Sequence, residues 1–134
     1  MIELTDKVIQ SVPLTDNNWK ELCELLSRIK GLDINSCDSC RSYLTALLGG
    51  RHNNWLNLYL NKPATELEKG IRSLDKQIIE HSNKIQNPKK YYPDWENLDS
   101  RNKQNLIEKK WKQDIQRQLE QKQILECILR NRVN

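Results

Sequence analysis

At 134 residues the chain has the length of one ordinary domain, enough for a modest core and short for a large cleft with its own lid. Hydrophobic residues make up 37% and charged residues 30%, with four Trp, four Tyr and no Phe, so the core must rest on Leu and Ile with a few aromatic anchors. The net charge of +4, from 22 basic and 18 acidic side chains, is too mild for a dedicated nucleic-acid binder; no apolar run approaches the roughly 20 residues that cross a bilayer, which excludes a membrane partner.

The opening Met1-Ile2-Glu3-Leu4-Thr5-Asp6 lacks the basic-then-apolar pattern of a signal peptide, so a reducing cytoplasm is the expected compartment. The first dozen residues read as a lead-in ending at Pro13. Thr15 or Asp16 can then cap a helix whose inner face carries Trp19, Leu22, Cys23, Leu26 and Ile29, with Gly31 closing it. Asn35 or Ser36 can cap a second helix with Cys40, Tyr43, Leu44, Leu47 and Leu48 inward and Gly49-Gly50 as its stop. Asn53 or Asn54 starts a third, carrying Trp55, Leu56, Tyr59 and Leu60. The alternation of Leu56, Leu58 and Leu60 would also suit a strand, but no partner strand is evident nearby.

Pro63 interrupts the pattern, and Thr65-Glu66-Leu67-Glu68 has the form of a capping box. Beyond it Leu67, Ile71, Leu74, Ile78, His81 and Ile85 fall in a four-three-four-three-four rhythm, the seam of a coiled coil, and Asn87-Pro88 stops the helix. So narrow a stripe needs another helix to cover it. The chain offers one from Asp99 or Ser100 to about Arg130, where Ile107, Trp111, Ile115, Leu119, Leu125 and Leu129 recur at helical spacing. This last helix, on the order of 45 Å, outreaches its partner of about 30 Å. One end of it must therefore pack on the amino-terminal helices, on a second copy or on another protein. The predicted fold is all-α, a small amino-terminal helical cluster in 1–62 followed by a long antiparallel coiled-coil-like hairpin in 63–134.

Four features can carry chemistry. Cys37-Asp38-Ser39-Cys40 is a CxxC at a helix start, and with Cys23 and His52 it could complete a zinc site. No second CxxC or paired-His motif follows, so these cysteines read as ordinary partly buried thiols and no metal or cofactor is expected. Gly49-Gly50-Arg51-His52 presents a cation and an imidazole on a turn. His81, the other imidazole, lies on the seam, where a lone His more often sets register than catalyses. The connector Lys89-Lys90-Tyr91-Tyr92-Pro93-Asp94-Trp95 is too aromatic for an idle linker; its rings can cap the hairpin, anchor a protein partner or stack on unpaired bases. From Lys103 onward the last helix holds most of the chain's positive excess, and Lys109, Lys110 and Lys112 are its candidate phosphate contacts.

The stretch 66–129, with its Ile71-Arg72-Ser73-Leu74-Asp75-Lys76-Gln77-Ile78 opening, Asn87-Pro88-Lys89-Lys90-Tyr91 turn, Pro93-Asp94-Trp95 corner and Trp111-Lys112-Gln113-Asp114-Ile115 continuation, resembles helical hairpins near the carboxyl ends of bacterial polymorphic toxins. The resemblance covers under half the chain, rests on a helix-turn-helix pattern and assigns no functional residue. The chain departs from that pattern in starting at its own Met1 without a delivery region. The expected function is non-enzymatic: a helical protein-protein interaction or regulatory module, possessing a protein partner or a second copy as its target and a place in a bacterial conflict or defence system. Its contacts would come from Trp19, Trp55, Tyr91, Tyr92 and Trp95. The alternatives are a small nuclease-type toxin using His52 and His81 with Arg51 or Arg72, and a nucleic-acid-binding helical protein.

Overall fold

The computed structural model describes residues 14–30 and 38–133. The expectations for the lead-in through Pro13, for the Ile29 side chain, for Gly31 as a stop, for Asn35 or Ser36 as a cap and for Cys37 lie outside what is described. Among the described residues all regular structure is helical and none is strand. The chain divides into two compact units, Met1–Glu68 with Gln123–Asn134, and Lys69–Lys122. This differs from the division expected near Asn61 to Ala64, because the carboxyl end of the last helix belongs with the first unit.

In the first unit, α1 (Asp16–Lys30) starts where Thr15 Oγ1 accepts from the Asn18 N–H at 3.1 Å, an N-cap that satisfies one of the free donors of the first turn. Leu22, Cys23 and Leu26 of its predicted face are buried. A short 3-10 turn, Asp38–Cys40, leads into α2 (Arg41–Leu47), which buries Tyr43, Leu44 and Ala46. Gly49 ends it with a φ of 98°, donating to the Ala46 carbonyl while Gly50 donates to that of Thr45, the paired bonds of a Schellman stop. Helix α3 (Asn53–Tyr59) follows and buries Leu56, so the alternating leucines form a helix, with Leu58 left 66% exposed.

The end of the last helix, α7 (Lys112–Val133), closes this unit. Ile124, Leu125, Cys127 and Ile128 are all buried. Gln123 Oε1 accepts from the Ser42 N–H at 2.8 Å, supplying the first turn of α2 with the cap that Cys40 does not provide. Arg130 donates to Ser39 Oγ at 2.6 Å, and Arg132 to the Leu60 carbonyl at 2.7 Å. Cys40 and Cys127 form a disulfide across 87 residues of sequence, and Cys23 is disulfide-bonded as well. The expectation of ordinary thiols is therefore overturned, and an oxidised Cys40 has no thiolate to give zinc. Spacing within the CxxC could not reveal this, since the partner of Cys40 comes from the far end of the chain.

The second unit holds most of α4 (Ala64–Gln86), the single turn α5 (Pro88–Tyr91), a 3-10 turn at Trp95–Asn97, α6 (Ser100–Gln104), a π-helix at Asn105–Trp111 and the first half of α7. Helix α4 does not begin with the predicted capping box. The Glu66 and Leu67 N–H groups bond the Pro63 carbonyl, which places Thr65 inside the first turn rather than at its cap. Asp99, in contrast, caps α6 as expected, accepting from the Asn102 N–H at 2.7 Å.

The stripe on the last helix also differs from its sequence reading. Ile107, Trp111, Ile115 and Leu119 are spaced four apart, which overshoots an α-helical turn at every step; the wider π turns absorb the overshoot up to Trp111. Once the α-helix resumes, the next inward position falls on Gln118, which is 1% exposed, and Leu119 is turned out to 46%.

Candidate functional site: a cationic cavity beside the aromatic corner

Three aromatic rings organise the corner of the second unit. Trp95 is buried and stacks on the buried Trp111 with ring centroids 5.9 Å apart, while Tyr92 meets Trp95 edge-on at 6.5 Å. The Lys103 ammonium sits over the Trp95 ring at 5.7 Å. Trp95 was expected to face a partner; its ring instead anchors the turn to the π-helix, because the indole is the largest apolar surface available to fill that corner. Tyr91 and Tyr92 remain 38% and 36% exposed.

Tyr92 lines a cavity of about 640 Å³. One wall is a continuous helical face running from α6 through the π-helix to the start of α7. It offers three amides, Asn102, Asn105 and Gln113, two cations, Lys109 and Lys110, the aliphatic Leu106, and at its end Asp114. These residues recur three or four apart, so they share one side of the helix while Trp111 points to the other. Tyr92 and Leu98 complete the lining. Tyr91 lines a separate cavity of about 240 Å³ with Asn83, Gln86, Asn87 and Lys90, whose ammonium lies 5.6 Å from the Tyr91 ring centroid.

The charges nearby are mostly spoken for. Lys112 pairs with Glu108 at 2.9 Å, which separates it from the other two predicted phosphate contacts. Lys89 bonds Glu96 and holds its carboxyl below the usual carboxylate range, first through that hydrogen bond and then through its charge. Lys122 bonds Asp75 at 2.7 Å. Lys109 and Lys110 have no carboxylate partner among the described residues.

Behind Asp114 lies a polar cluster. His81 Nδ1 donates to the Gln77 carbonyl at 2.9 Å and its Nε2 lies 3.3 Å from Asp114 Oδ2; the other Asp114 oxygen is 3.7 Å from Arg117. Gln118 Nε2 donates to Gln77 Oε1 at 3.4 Å, and Gln118 Oε1 is buried with no hydrogen-bond partner among the described residues. Gln118 Nε2 also lies 3.4 Å from His81 Nδ1, so contacts at both nitrogens hold the ring in place. Among the described residues the cavity lining includes no Ser, Thr, Cys or His.

Of the remaining predicted residues, Arg72 lies on α4 in the second unit and outside the cavity lining, while Trp19, Arg51, His52 and Trp55 lie in the first. Trp19 is half-buried under the Arg41 guanidinium at 5.3 Å, and Trp55 packs on Tyr59 with centroids 4.5 Å apart. His52 adopts a left-handed φ of 70° at the start of α3. Sequence reasoning identified Tyr92, Lys109 and Lys110 separately but missed Leu98, Asn102, Asn105, Leu106, Gln113 and Asp114; the shared helical spacing of the last five was the available signal. No described helix is long and apolar enough to cross a membrane, and no group of three or more potential metal ligands occurs among the described residues. Comparison with protein-family models, curated proteins and solved structures finds no match.

Proposed function

We propose that this chain is a non-enzymatic helical module that works by docking a protein partner. The observation that carries this reading is the cavity itself: it gathers an exposed ring, two cations with no carboxylate partner among the described residues, three amides and an aliphatic floor, all groups that make contacts. Its carboxylate, Asp114, is engaged by His81. In the same reading α4 and α7 pair as an antiparallel coiled-coil-like hairpin that keeps the wall rigid. The order of the contacts within the second unit supports this, since Asp75 meets Lys122, Gln77 meets Gln118 and His81 meets Asp114. The resemblance of 66–129 to toxin hairpins favours a regulatory role in bacterial conflict. The disulfides move the working compartment from the reducing cytoplasm to one where such bonds persist.

A nuclease-type toxin is the second reading, favoured by the His81–Asp114 contact. One pair of assays separates them. Purified protein incubated with bulk RNA and DNA is expected to leave both intact, and Tyr91→Ser/Tyr92→Ser is expected to lose partner capture while keeping its helical circular dichroism. Cleavage abolished by His81→Ala, or capture indifferent to both tyrosines, would reverse the order.

A further inference from the structure

We infer that the cavity beside Tyr92 takes an acidic protein segment carrying an apolar anchor side chain. This rests on the docking reading above and names the chemistry of the partner. The first argument is where the charge resides. Unit Lys69–Lys122 holds 13 basic and 8 acidic residues, net +5, whereas the remainder of the chain holds 9 basic and 10 acidic, net −1. The whole positive excess therefore belongs to the unit that contains the cavity, and an overall charge of +4 hides it. A field of one sign attracts and orients a partner of the other.

The second argument is local. Lys109 and Lys110 line the cavity without carboxylate partners among the described residues, while Lys112, the next cation along the helix, is paired with Glu108. Leu98, Leu106 and the Tyr92 ring provide an apolar floor for one side chain. The amides of Asn102, Asn105 and Gln113 follow the helix at intervals that suit the backbone groups of a peptide laid along it. A carboxylate on the segment meets the lysines, its neighbouring apolar residue enters the floor, and its N–H groups meet the amide oxygens.

Two features favour a protein segment over a single-stranded nucleic acid. Asp114 stands on the wall, held by His81, where its charge disfavours the continuous phosphates of a strand more than a segment whose charges are spaced by neutral residues. Among the described residues one ring, Tyr92, lines this cavity, whereas strand binders stack successive bases on several.

The test is selection of a displayed library of random dodecapeptides on the full-length oxidised protein, run in parallel on Lys109→Glu/Lys110→Glu and on Leu106→Gln. Wild-type protein is expected to enrich peptides that pair Asp or Glu with Leu, Ile or Phe. The double charge reversal is expected to lose the acidic preference and bind the leading wild-type peptide roughly tenfold more weakly or worse by fluorescence anisotropy. Leu106→Gln should keep the acidic preference and lose the apolar one. Matching thermal unfolding curves show that the variants fold. Neutral peptides that depend on Tyr92 would overturn the acidic segment and leave the docking reading standing; no enrichment on any form would overturn both. Labelled oligo(dT) serves as the other arm. Tyr92-dependent binding of it, tighter than that of any selected peptide, would assign the cavity to nucleic acid.

Discussion

At the scale of single residues, burial and partners decide what each side chain can do. Trp111 is 5% exposed and stacked on Trp95, so Trp111→Ala is expected to destabilise the protein by about 3 to 5 kcal/mol, the usual range for emptying a large core site, in a urea titration. An unchanged midpoint would mean the corner does not depend on that stack. Gln118 illustrates the reverse case. Its buried Oε1 lacks a partner among the described residues, so Gln118→Leu should raise stability by about 1 kcal/mol, the penalty of an unsatisfied polar atom removed. Tyr43 gives a pH signature. Burial raises its pKa above 10.0, so the folded state keeps the phenol neutral while the unfolded chain ionises near that value. The stability this contributes is fully present below pH 10.0 and is lost as pH rises through the folded-state pKa; Tyr43→Phe should flatten that alkaline loss.

At the scale of elements, the parts with local causes were legible. Thr15 and Asp99 cap as their side chains allow, the Gly49-Gly50 pair stops α2, and the seam positions from Leu67 to Ile85 are all buried or half-buried while Ile79 beside them is 59% exposed. The misreadings at Thr65 and Leu119 come from neighbouring backbone geometry that residue spacing does not encode. Thr65 loses its cap because Pro63 supplies a carbonyl first, and Leu119 loses its inward place because a π-helix shifts the phase before it. That π segment is also a lever. Deleting Glu108 should let α-helical bonding run through 105–111 and rotate Lys109 and Lys110 relative to Asn102. The expected result is loss of peptide binding with helical content retained; binding at full strength would show that the π geometry is irrelevant to the cavity.

At the scale of the molecule, what composition concealed was the placement of charge and the oxidation of cysteine. Net charge and a CxxC are visible in any sequence, but the concentration of charge in Lys69–Lys122 and the pairing of Cys40 with Cys127 depend on which segments fold together. The disulfide closes 87 residues, so Cys127→Ser is expected to cost roughly 4 to 5 kcal/mol on a chain-entropy account, read as a shifted denaturation midpoint; a reductant, which also opens the Cys23 disulfide, should shift the wild type at least as far. The central claim is that one chain closes its own helices and keeps the face bearing Lys109 and Lys110 for a foreign partner. The most direct test is the solution mass of the purified oxidised protein by light scattering. A monomer of 15.9 kDa is predicted across concentration, with Ile79 and Leu119 remaining exposed. A stable dimer that dissociates on Ile79→Lys or Leu119→Lys would contradict the account, because the helices would then be completed by a second copy.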